Sequence, residues 1–194
     1  MLATVLLLCA CVYDVGAHGS NVTSDGGANG RMLWGTAATT NASPKFWTPV
    51  SIDANGRDPY IGLCQLDWDT YHAAPYKYPM FKDLMMLSKC SGANHKSERM
   101  SVLWKEYEEN AEGLKHNVPT AFVFHESRVG STLVANTFGS DPKSLVFSES
   151  PPPVAALLRC TLCSPGQAKD RFRKLLLLMG ASTVHEVLTV SLSA

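Results

Sequence analysis

Thr120-Ala121-Phe122-Val123-Phe124 runs into His125-Glu126-Ser127-Arg128-Val129-Gly130-Ser131-Thr132 and then into Leu133-Val134-Ala135-Asn136-Thr137-Phe138. The reading of these nineteen residues decides the fold. Pro119 blocks any helix from continuing across it, so the β-branched and aromatic residues that follow predict a short strand of the kind buried in a parallel sheet. The polar stretch with its single glycine predicts a tight loop, and the apolar residues after it predict a short helix. A strand, a loop and a helix N-terminus in that order form an anion-binding unit. The first amides of a helix have no intrahelical acceptor, and the helix dipole adds partial positive charge there.

Toward the C-terminus, Gly139-Ser140-Asp141-Pro142 predicts a turn and residues 144–147 (SLVF) a second strand, which Ser148-Glu149-Ser150 and three prolines end. Residues 154–158 predict a short helix, 160–166 a turn, and 168–179 a longer helix whose Arg171, Arg173 and Lys174 read as a solvated face. Residues 184–192 alternate well enough for a third strand. Strand, helix, strand, helix, strand predicts a parallel sheet with right-handed crossovers. Toward the N-terminus, Met100, Leu103, Trp104, Tyr107, Ala111 and Leu114 recur at three- and four-residue steps, predicting a helix with Ser97 as its N-cap. Residues 58–89 are rich in Tyr, Trp, Pro and Met and are expected to cover an edge of the core, their aromatics packing rather than stacking on ligand. From 17 to about 56 no periodicity persists, so an irregular arm is expected.

At 194 residues, with 45% hydrophobic and 18% charged, the chain suits one globular domain with an N-terminal extension. A formal net charge of zero gives it no broad positive field, which argues against a nucleic-acid or anionic-membrane partner; an anion site must be local. MLATVLLLCACV at the N-terminus is too short to span a bilayer and is followed by Val15-Gly16-Ala17, so residues 1–17 read as a signal peptide, against the alternatives of a buried strand or a short anchor. Its n-region carries no Lys or Arg. Asn21-Val22-Thr23 and Asn41-Ala42-Ser43 match the N-glycosylation pattern, the second followed by Pro44. Together these predict the secretory pathway, in the Golgi lumen or outside the cell, with membrane association only through the N-terminal segment. Cys64, Cys90, Cys160 and Cys163 remain after cleavage and allow three connectivities, of which Cys64 with Cys90 and Cys160 with Cys163 is preferred. A zinc site on Cys160-Thr161-Leu162-Cys163 would need a second pair nearby, and the sequence offers none, so no metal is expected.

The loop does not follow G-x-x-x-x-G-K-[ST]: His125 stands in place of the first glycine and Ser131 in place of the lysine, against ordinary ATP or GTP hydrolysis. It resembles instead the 5′-phosphosulfate loop of sulfotransferases, in which a basic residue, a variable residue, Gly and two hydroxyl residues follow the first strand, here Arg128-Val129-Gly130-Ser131-Thr132. Leu145-Val146-Phe147-Ser148-Glu149-Ser150 and the three prolines are similar to that family's second strand and following loop. The resemblance covers residues 119–153. It implies an α/β fold, an incomplete P-loop three-layer sandwich with a parallel sheet over residues 58–194, preceded by the signal peptide (1–17) and a flexible arm (18–57). It also implies 3′-phosphoadenosine 5′-phosphosulfate as co-substrate and a hydroxyl or amine acceptor on a small molecule or glycan.

On this resemblance Arg128, Gly130, Ser131 and Thr132 bind the donor. Arg128 supplies a planar, permanently charged fork, Gly130 a close backbone approach, and the two hydroxyl residues further donors. Glu149 is the first choice for the general base and His125 the second; the same Glu149 would equally cap its turn or pair with Arg128, and His125 would equally be a hydrogen-bonded loop residue. The family's downstream Arg and Ser for the 3′-phosphate are not found in the sequence, which predicts a truncated chain of doubtful activity. Two other readings stay open: an atypical P-loop phosphotransferase, and a secreted carbohydrate-binding or structural module using the aromatics between Trp47 and Phe81.

Overall fold

The computed structural model describes residues 46–109, 115–116, 119–125, 129–141, 144–160, 162–182 and 187–193, with only the backbone of 115, 116, 125, 182 and 187–193. The fold is mixed α/β. Strands β1 (Trp47–Asp53), β2 (Tyr60–Gln65) and β3 (His95–Arg99) form an antiparallel sheet in the order β1-β2-β3. Helices α1 (Trp68–Ala73) and α2 (Phe81–Leu87) lie between β2 and β3 in the chain, and α3 (Met100–Glu109) follows β3 directly. A two-residue ladder joins β4 (Lys115–His116) to β7 (Ala181–Ser182). The remaining elements are β5 (Pro119–His125), α4 (Ser131–Gly139), β6 (Ser144–Ser148), α5 (Pro151–Leu158), α6 (Pro165–Gly180) and β8 (Val187–Ser193).

The expected strand-helix-strand-helix-strand succession is present as β5, α4, β6, α5 with α6, and β8, and its strands pair in parallel in the order β5-β8-β6. The antiparallel sheet is a departure from expectation. The segment expected as an arm ends in β1, whose Thr48, Val50 and Ile52 alternate toward the interior. Pro49 and a register shift between Pro49 and Ser51 interrupt the two-residue period, which hides the strand from a pattern search. An edge position tolerates that proline because the lost N–H has no ladder partner to disappoint. The segment expected to cover an edge contains the sheet's central strand instead, with Ile61, Leu63 and Cys64 fully buried. Gly62 suits the close pairing there: a Cβ would meet the Ser51 hydroxyl and force it to turn away.

Ser97 is not an N-cap. It pairs with Gly62 in β3, and the helix starts three residues later. The cap comes from a distant part of the chain: Asp58 accepts from the Ser101 amide (3.0 Å) and hydroxyl (2.7 Å), with Arg99 3.8 Å from the same carboxylate. The three prolines end β6 as expected, but they also open α5, where a fixed φ and a missing N–H suit the first helical turn. Helix α6 starts on a capping box, Ser164 accepting from the Gln167 amide while the Gln167 side chain accepts from the Ser164 amide.

One core unites both sheets. Leu63 of β2, Leu103 of α3, Phe147 of β6 and Leu175, Leu178 and Met179 of α6 are all essentially inaccessible. Phe147 meets Trp68 edge-on at 5.6 Å and Phe81 at 5.4 Å, so the expected packing role of these aromatics holds. Cys64 is bonded to Cys90 and Cys160 to Cys163, the preferred pairing. The first bridge closes a separation of 26 residues and contributes roughly 3.5 kcal/mol by the chain-entropy argument. Arg171, expected on a solvated face, is buried. Its Nη1 donates to Ala54 O (3.0 Å) and its Nη2 to the carbonyls of Gly56 and Arg57, so it holds the β1–β2 turn against α6. Among the described residues no helix is long and apolar enough to cross a membrane.

Candidate functional site

β5 ends at His125 and α4 begins at Ser131. The register sets His125 beside Ser193 and Ser148 beside Ser191, so the carboxyl ends of β5, β8 and β6 lie along the same edge. Ligands of open parallel sheets bind outside that edge. With a strand spacing of about 4.8 Å and one strand between them, the ends of β5 and β6 are roughly 10 Å apart.

Gly130 is the N-cap of α4, left-handed with φ 90° and ψ 14°. A Cβ there would meet nothing within 4 Å among the described residues, so the position favours glycine for its backbone conformation. The helical ladder starts with Leu133 and Val134, both donating to Gly130 O, so the Ser131 and Thr132 amides precede it. Thr132 is exposed and Ser131 half-buried. Arg128 lies outside the described residues, as do Glu126 and Ser127, and of His125 only the backbone is described. Gly130, Ser131 and Thr132 are thus brought together at the helix start.

Glu149 lies on the same sheet edge, immediately after β6. It has φ 52°, a left-handed conformation that a side-chain-bearing residue adopts at a cost of order 1–3 kcal/mol. It lines a small cleft of about 200 Å³ with Ser150, Pro151, Val154, Ala155 and Arg159. Ser150 is 1% exposed and its Oγ has no hydrogen-bond partner among the described residues. Neither Ser150 nor Arg159 was singled out from sequence; the only signal was their position next to Glu149 and at the far end of α5. Among the described residues no group of three His, Cys, Asp or Glu could hold a metal ion.

A larger cleft, about 620 Å³, lies between the β1–β2 turn, α3 and α6. Trp104 in its wall stacks on Tyr107 at 4.9 Å, and Lys174, paired with Asp170 at 2.9 Å, stands 5.4 Å over the Trp104 ring. Burial raises the Tyr107 hydroxyl above its ordinary pKa, against a smaller lowering by Arg173. Positive and negative side chains alternate around this cleft, so it selects no single sign of ligand charge.

Compared with known proteins, the chain matches no protein-family model, no curated protein and no solved structure.

Proposed function

We propose that the β5-loop-α4 unit cradles the 5′-phosphosulfate of 3′-phosphoadenosine 5′-phosphosulfate, and that the domain belongs to the sulfotransferase-like P-loop proteins, an α/β three-layer sandwich on a parallel sheet. The observation that carries this reading is the left-handed Gly130 cap, which opens the start of α4 at the carboxyl end of a parallel strand. The Arg128-x-Gly130-Ser131-Thr132 pattern supports the choice of donor. The amides of Ser131 and Thr132 hold phosphate oxygens, their hydroxyls add donors, and Arg128 adds fixed charge.

Sulfuryl transfer requires that the acceptor lose a proton as its oxygen or nitrogen bonds to sulfur, while the bond from sulfur to the phosphate oxygen breaks and 3′-phosphoadenosine 5′-phosphate leaves. Glu149 takes that proton in this reading, with His125 as the alternative base. The cleft at Glu149 receives the acceptor hydroxyl or amine of a small molecule or glycan, with the Ser150 Oγ, which has no partner among the described residues, available to orient it. A secretory location is proposed on the N-terminal segment and the sequons, and the two disulfides support it.

For the carbohydrate-binding reading, Tyr71 and Phe81 are core residues and Trp47 is covered by Lys96 at 4.1 Å, which leaves the exposed Tyr60 and Tyr76 as the aromatics of that stretch that could meet a sugar. The test is calorimetric titration of 3′-phosphoadenosine 5′-phosphate into the chain from His18, with R128A alongside. Binding that the variant abolishes is expected. Binding of magnesium-ATP instead would favour a phosphotransferase, and a folded chain that binds neither nucleotide would reject the cradle.

A further inference from the structure

Cys160 and Cys163 are joined across a separation of three residues, a loop far shorter than the 26 residues closed by Cys64 and Cys90. A bridge that closes so short a loop removes little freedom from the unfolded chain, so stapling is a weak reason for it. Its surroundings supply another. Arg171 Nη1 donates to Cys160 Sγ at 2.9 Å while the same guanidinium is held by the carbonyls of Ala54, Gly56 and Arg57, so a permanent charge is fixed against one sulfur before any reaction. Cys163 directly precedes Ser164, the N-cap of the sixteen-residue α6, where the helix dipole favours negative charge. Both cysteines are half-exposed, whereas Cys64 is inaccessible.

We propose that Cys160–Cys163 is a thiol–disulfide exchange site whose partner is a dithiol. One thiolate of the dithiol attacks Cys163 Sγ, the Cys160–Cys163 bond breaks, and its electron pair leaves on Cys160 Sγ, facing Arg171. The partner's second thiolate attacks its own sulfur in the mixed disulfide and releases Cys163. The partner ends as a disulfide and the protein as two thiols, two electrons and two protons having passed between them; the reverse course oxidises a dithiol. Arg171 acts by favouring Cys160 as the leaving sulfur and by stabilising the reduced state.

The test equilibrates the folded chain with graded ratios of reduced to oxidised dithiothreitol, traps thiols by alkylation and assigns them by mass spectrometry. An equilibrium, unlike a rate, does not report exposure. Half-reduction of Cys160–Cys163 is expected at a ratio at least tenfold less reducing than for Cys64–Cys90, about 30 mV. Joint opening of the two bridges would overturn the proposal. R171M is expected to shift the Cys160–Cys163 equilibrium about tenfold toward the disulfide with the Cys64–Cys90 midpoint unchanged, and R171K to retain most of the wild-type value. An unshifted equilibrium in folded R171M would overturn the part assigned to Arg171. If both variants also open Cys64–Cys90, the wild-type comparison decides alone.

Discussion

Phe147→Ala tests whether the two sheets share one core. Phe147 is fully buried on β6 and touches Trp68 and Phe81, which belong to the helices that follow β2. Truncation removes a buried aromatic side chain and leaves a cavity beside Trp68 and Phe81, at a cost of about 3–5 kcal/mol. Domains of this size are stable by about 5–15 kcal/mol, so the loss is a large share of the total. With a urea m-value of about 2 kcal/mol/M, the midpoint of unfolding followed by tryptophan fluorescence is expected to fall by about 2 M. Phe124→Ala is the matched control: Phe124 is 73% exposed on β5, and its loss is expected to change stability by no more than about 0.5 kcal/mol. A double-mutant cycle of Phe147→Ala with Trp68→Ala is expected to give a coupling of about 0.5–1.5 kcal/mol. A shift below about 0.5 M for Phe147→Ala at unchanged m would refute the shared core, because a cost near that of the control means that the ring is not enclosed.

Gly130→Ala is expected to cost about 1–2 kcal/mol in a thermal or urea melt although it creates no clash, since the whole penalty is the left-handed backbone; a neutral result would mean that α4 starts differently. Asp58→Ala removes the remote cap of α3 and is expected to lose about 1 kcal/mol, read from the urea midpoint, with Asp58→Asn recovering part of it. Tyr71 is pushed up to about 12 by burial. Its folded pKa exceeds the unfolded value near 10, so above pH 10 the unfolded chain holds fewer protons and stability falls with rising pH. That contribution is fully present below pH 10, is lost between about pH 10 and 12, and amounts to roughly 3 kcal/mol. Tyr71→Phe is expected to flatten this limb in alkaline unfolding curves; an unchanged limb would assign it to other groups.

The parallel half of the fold was legible because its signals are local. Pro119 and the run after it, the single glycine before α4 and the prolines after β6 each mark a boundary within a few residues. The antiparallel half was hidden because its determinants are distant in sequence. Asp58 caps a helix at Ser101, and Arg171 binds carbonyls more than 110 residues away, so neither role leaves a trace in local pattern. Ser97 reads as a cap by composition but is held in β3 by its pairing with Gly62, a tertiary contact that outweighs propensity. Of the candidate site, Gly130, Ser131, Thr132 and Glu149 could be chosen on the resemblance of their stretches to the phosphosulfate loop and the loop after the second strand. The left-handed backbone of Glu149 and the buried Ser150 hydroxyl could not, since both arise from how β6 meets α5.

The strand order β5-β8-β6 also sets a timetable for synthesis. β5 and β6 do not pair with each other; each pairs with β8, the last of the three to be made. At roughly 5–20 residues per second, the ribosome needs about 3–14 s to travel from the end of β5 at His125 to the end of β8 at Ser193. Throughout that interval β5 presents an unpaired hydrogen-bonding edge with Phe122 and Phe124 on it, while the antiparallel sheet is already free to close. The nascent chain is therefore most in need of a chaperone between these two moments, and slowing translation within that window should lower the yield of folded protein more than slowing it within residues 60–99.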